Sequence, residues 1–92
     1  MTRVSLKGHI LVPAAELSMV ENELPNHILL TREEPGCLVF EVTQDQVDPC
    51  KFHVDELFED QMSFARHQQR VKASRWGRAT GSVERFYDIN GA

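Results

Sequence analysis

The spacing of apolar positions along this chain switches between two and three-to-four, and each switch marks an element. From Val4 to Val12, Leu6, Gly8, Ile10 and Val12 alternate with Ser5, Lys7, His9 and Leu11, a period of two that predicts a first strand. Pro13 suits the first turn of a helix, where its missing N–H has no partner to lose, and Leu17, Val20, Leu24, Ile28 and Thr31 then recur at spacings of three and four. That helix stops before Glu34-Pro35-Gly36. Pro25 lies inside it and removes one backbone hydrogen bond, so a kink or a break into two pieces is expected near Glu21 to Leu24. Cys37 to Thr43 sets Leu38, Phe40 and Val42 on one face of a second strand, and Gln44 to Pro49 has the Asp, Gln and Pro content of a turn. A third strand from about Cys50 to Glu59 puts Phe52, Val54, Glu56 and Phe58 on one side and His53, Asp55 and Leu57 on the other. Asp60 can cap a second helix, whose stripe is Phe64, His67 or Gln68, and Val71. Ser74 to Gly81, with Trp76 and two glycines, predicts a loop or single turn; Val83 to Ile89 predicts a last strand, and Asn90-Gly91-Ala92 a frayed end.

The order β-α-β-β-α-β, with right-handed crossovers, gives an α+β, ferredoxin-like fold: a four-stranded antiparallel sheet with both helices on one face. No repeat, low-complexity segment or linker divides residues 1–92, which read as one domain. The other sheet face is left bare with Leu11, Val39 and Leu57 on it. A homodimer, sheet on sheet, is the simplest closure.

Composition narrows the partners. Ten Lys and Arg against fourteen Asp and Glu leave a net charge of −4, which repels a phosphate backbone. The third strand, FHVDELF, also lacks the aromatic-rich basic motif on which RNA-binding domains of this topology stack bases. Nucleic acid is therefore not an expected partner. No apolar run is long enough to span a membrane, and Met1 to Val12 lacks the features of a signal peptide, so the expected location is the cytoplasm. Cys37 and Cys50 fall near opposite ends of the predicted hairpin, too far apart for a disulfide, and read as free thiols. No GxGxxG, P-loop or GxSxG string supports dinucleotide binding, phosphoryl transfer or hydrolase chemistry.

One residue breaks the apolar pattern: Glu56 lies on the inward side of its strand. Burial there disfavours the charged carboxylate, and an inward His67 could reach it. Such a pair is either an acid/base couple or a buried polar contact that fixes the second helix on the sheet. On the opposite face His9, His53, Asp55 and Glu41 could converge as a metal site, yet no short zinc-ligand spacing is present, and polar groups on a half-exposed sheet or the rim of an interface are the preferred reading. His27 reads as a surface residue and Trp76 as a loop anchor or ring platform. Arg66, Arg70, Lys72, Arg75 and Arg78 form either a solvated helix face or a guide for an anionic substrate.

The string TREEPGCLVFEV, a DP turn, FHVDELFED and a helix with FARH together resemble the antibiotic biosynthesis monooxygenase family, in particular its small quinol monooxygenase branch. The resemblance covers about residues 5 to 90. Its most specific parts are EPGCL before a strand, the Glu56, Phe58 and Asp60 spacing, and a histidine seven residues further on, His67. It implies a dimeric α+β barrel and a monooxygenase that oxidises a small aromatic or quinol with O2, using no flavin, haem or metal. It further implies Glu56 or His67 as the catalytic base that removes a phenolic proton, with Phe40, Phe58, Phe64 and Trp76 as substrate-binding walls. The haem-degrading branch relies on an Asn, a Trp and a His; Phe58 stands where that Trp is expected and His9 near the Asn, which argues against haem breakdown. The other reading is a non-catalytic ligand-binding or signalling dimer of the same fold.

Overall fold

The computed structural model describes residues 2–91. Strand β1 (Val4–Leu11) leads through a short 3-10 turn (Ala14–Glu16) into helix α1 (Leu17–Arg32). Strands β2 (Cys37–Gln44) and β3 (Lys51–Phe58) form a hairpin, followed by helices α2 (Gln61–Lys72) and α3 (Arg75–Ala79) and strand β4 (Glu84–Asn90). The strands lie in the order β2-β3-β1-β4, all pairs antiparallel, which is the ferredoxin-like α+β arrangement.

Register decides which side chains form the core. Leu6 stands opposite Glu56, Gly8 opposite Val54 and Ile10 opposite Phe52, while Phe40 and Val42 pair with Glu56 and Val54 from the other side. Because paired residues share a face, these side chains form one layer beneath the helices. Val4, Leu6, Val20, Phe52 and Phe58 are almost completely buried. Gly8 is required by close approach: a Cβ there would run into the Phe86 carbonyl oxygen of β4.

Three local expectations are corrected, and the single turn expected around Trp76 is seen as a short helix. Leu38 does not face the core; Cys37 pairs with Phe58 and Val39 with Leu57, so Leu38 is the extra residue of a bulge and points outward. Pro25 does not divide α1, which runs unbroken through it, because Pro25 lies on the solvent side where water can satisfy the Glu21 carbonyl it leaves free. The segment around Trp76 forms α3, capped by the Ser74 hydroxyl, which accepts from the Gly77 amide at 3.1 Å. Asn90 is the last residue of β4 rather than frayed, and Ala92 lies outside the described residues.

The bare face carries Val39 and Phe86 exposed, with Leu11 and Leu57 half-buried. His9 and His53 are register partners there, but His53 Nε2 lies 2.7 Å from Asp45 Oδ1 and His9 stacks on Phe86 at 4.8 Å. Among the described residues no three His, Cys, Asp or Glu side chains are grouped to hold a metal ion. Nor is any described helix long and apolar enough to cross a membrane. Both cysteines are free and half-buried.

Candidate active site

The site is assembled where α2 crosses the inner face of β3. Asp60 caps α2, its Oδ1 accepting from the Ser63 amide at 2.8 Å, and this fixes the rotation of the helix. Ser63 and His67 are thereby buried against the sheet. Gly36, with φ of +87°, lets the chain reverse tightly after α1; a Cβ there would collide with the Ser63 hydroxyl. The turn leaves Glu34 beside α2.

His67 is the centre of the cluster and is only 3% exposed. Its Nδ1 lies 2.9 Å from Glu34 Oε2, and its Nε2 lies 3.7 Å from Glu56 Oε1. The second distance is close but beyond hydrogen-bond range. Arg70 Nε donates to the same Glu34 oxygen at 3.0 Å, and Arg70 Nη2 donates to Thr31 Oγ1 at 2.8 Å. Rings enclose the histidine: Phe58 at 5.0 Å and Phe40 at 5.6 Å between centroids, with Phe64 edge-on to Phe58 at 5.7 Å. Trp76 packs against the core further out; it stacks on His27, 4.6 Å away and nearly parallel, and His27 in turn lies 6.1 Å from His67. Trp76, His27, Arg70 and Arg75 contribute to the walls of a cavity of about 150 Å³.

Burial sets the proton affinities. The Glu56 carboxyl is pushed up to about 7, chiefly because burial disfavours its charge and then because the Glu34 and Asp55 charges oppose it. Its Oε1 is buried with no hydrogen-bond partner. Burial lowers His67 below its ordinary value, against the pull of Glu34 in the other direction. His27 is pushed down to about 3 by burial, then by His67 and Arg70, so it is neutral at physiological pH. Burial, Glu34 and Glu56 raise the Cys37 thiol, which makes it a poor nucleophile. Tyr87 of β4 is raised by burial and by the Glu56 charge.

Glu56 and His67 are therefore brought together, with Phe40, Phe58 and Phe64 around them and Trp76 one ring further out. Three participants were not read from sequence as members of this cluster. Glu34 belongs to the predicted helix stop, although an acidic residue at the negative end of a helix is unfavourable and favours a cation beside it. His27 was read as a surface residue, yet it is 4% exposed, and its spacing from Leu24 and Thr31 already puts it on the apolar face of α1. Arg70 is half-buried in the Glu34 pair, unlike the exposed Arg66, Lys72, Arg75 and Arg78.

Comparison with known proteins follows the same lines. The family model described as antibiotic biosynthesis monooxygenase matches residues 4–79. Among solved structures, PA3566 of Pseudomonas aeruginosa is 26% identical with a TM-score of 0.78, over 98% of this chain and 91% of that one. A Nitrosomonas europaea protein named for the same monooxygenase family is 18% identical with a TM-score of 0.80, over 98% and 97% of the two chains. MupZ of Pseudomonas fluorescens is 20% identical with a TM-score of 0.74, over 98% of this chain and 71% of its own. The last two similarities speak for the fold alone. Among curated proteins none matches the chain.

Proposed function

The chain belongs to the antibiotic biosynthesis monooxygenase family, and on that footing we propose that it is a cytoplasmic, cofactor-independent monooxygenase for a small electron-rich aromatic or quinol. Family membership supports monooxygenase-type chemistry in general. The observation that carries the finer reading is Glu56: a buried carboxyl held near neutrality, with one oxygen unpartnered and an imidazole 3.7 Å from it.

In this reading Glu56 removes the acidic proton of the substrate. The resulting carbanion or phenolate gives one electron to O2, and the radical pair recombines within the aromatic shell of Phe40, Phe58 and Phe64, with Trp76 at its outer edge. For a methylene flanked by aryl rings, CH2 and O2 become a carbonyl and water, a balance that needs no outside reductant. The substrate approaches over β4. The β4 residues are open to solvent on at least one side, and Tyr87, 37% exposed and placed by register on the same face as Glu56, is close enough to feel its charge. The bare sheet face, with Val39 and Phe86, closes against a second copy of the chain.

An oxygen electrode with anthrone and a reduced naphthoquinol as substrates tests this. The wild-type protein is expected to consume O2 above the uncatalysed rate, and Glu56→Gln and His67→Ala to remove most of that excess. Saturable binding of these compounds without O2 uptake by the wild type would replace the catalytic reading with that of a ligand-binding dimer.

A further inference from the structure

We propose that Glu34 is the positioning residue of the site, holding His67 in the tautomer whose bare Nε2 faces Glu56. This rests on reading Glu56 and His67 as the acid/base pair. Arg70 Nε can only donate, and it donates to Glu34 Oε2 at 3.0 Å, so that oxygen is an acceptor beside a fixed positive charge. Beside that charge it accepts rather than donates. The His67 nitrogen 2.9 Å away must therefore be the protonated one, Nδ1–H. Burial lowers the proton affinity of His67, which favours the ring with a single proton and leaves Nε2 its lone pair. That lone pair faces the unpartnered Glu56 Oε1 at 3.7 Å.

The holder is itself held. Arg70 Nη2 donates to the hydroxyl of Thr31, a residue with no exposed surface, so a chain of contacts runs from α1 through Arg70, Glu34 and His67 to Glu56 on β3. The other titratable groups near the pair are His27 from α1, Cys37 from β2, Asp55 beside Glu56 in β3 and Tyr87 from β4, with Arg85 next to Tyr87. None of them takes the Nδ1 proton. The two carboxyl groups divide their roles by environment: Glu34 is paired with Arg70 and His67, and Glu56 Oε1 has no hydrogen-bond partner.

Long-range 1H–15N correlation of the His67 ring tests the assignment in the full-length chain, together with 13C titration of the Glu56 carboxyl. The wild type is expected to show Nδ1 protonated and Nε2 bare across neutral pH. Glu34→Gln keeps an acceptor and removes a charge; it should preserve that tautomer and lower the Glu56 midpoint by roughly half a pH unit or more. Glu34→Ala removes the acceptor and should mix the two tautomers. A wild-type ring protonated at Nε2, ring shifts unchanged in folded Glu34→Ala, or a Glu56 midpoint unmoved in Glu34→Gln would each overturn the proposal. If Glu34→Ala does not fold, the wild-type tautomer and Glu34→Gln decide the matter. Neither readout needs turnover, so a wild type that consumes no O2 refutes the monooxygenase reading and leaves this test standing.

Discussion

Replacing Glu56 with Gln keeps the length and shape of a buried side chain and removes its ability to ionise. In the folded protein burial, with Glu34 and Asp55, pushes this carboxyl from the ordinary 4.5 up to about 7. The folded state thus binds the proton more tightly than the unfolded chain. The stability carried by the protonated form is whole below the unfolded value of 4.5 and is lost as pH rises through about 7. At about 1.36 kcal/mol for each pH unit between the two states, the full loss is about 3 kcal/mol, of which about 2 to 3 kcal/mol falls between roughly pH 5 and pH 8.5. Glu56→Gln does not titrate. Urea denaturation of both proteins at those two pH values should show the variant gaining on the wild type by that amount, with a melting-temperature gap that widens by about 10 °C or more. A gap that stays constant with pH would refute the claim that Glu56 is buried and near neutrality.

The remaining predictions concern the shell and the open face. Phe58→Ala empties a fully buried position against His67 and Phe64 and should lower stability by about 3 to 5 kcal/mol, read from the urea midpoint. Val39→Asp, a change on the exposed sheet face that leaves the His67 cluster untouched, should halve the mass measured by sedimentation equilibrium while the far-ultraviolet circular dichroism is retained.

Strands β1 to β3 and the two long helices were legible because each carries an apolar period over eight residues or more, and because Asp60 is a strong local start signal. What escaped had no such period. The bulge at Leu38 leaves the alternation of β2 looking regular while moving its pairing by one residue. Helix α3 has only five residues, too few to show a stripe. Within the site, Glu56 announced itself because a carboxylate on an apolar face is a local contradiction, and His67 followed from helical spacing. Glu34 and its partner are 33 residues apart, and no local pattern marks a contact made by folding. Reading α1 for polar residues on its apolar face would have found His27. Its polarity suggests the surface, while its position on the helix places it inside.

The central claim is that the carboxylate of Glu56 takes a proton from the substrate, and the pH dependence of kcat/KM for O2 uptake with anthrone, corrected for the uncatalysed rate, tests it most directly. A base must be ionised to act, so kcat/KM should rise with pH through about 7, where Glu56 titrates. In Glu56→Gln that rise should vanish, with the rate at pH 8 falling by about 10² or more. A wild-type profile flat across this range, or the same rise in Glu56→Gln, would contradict it.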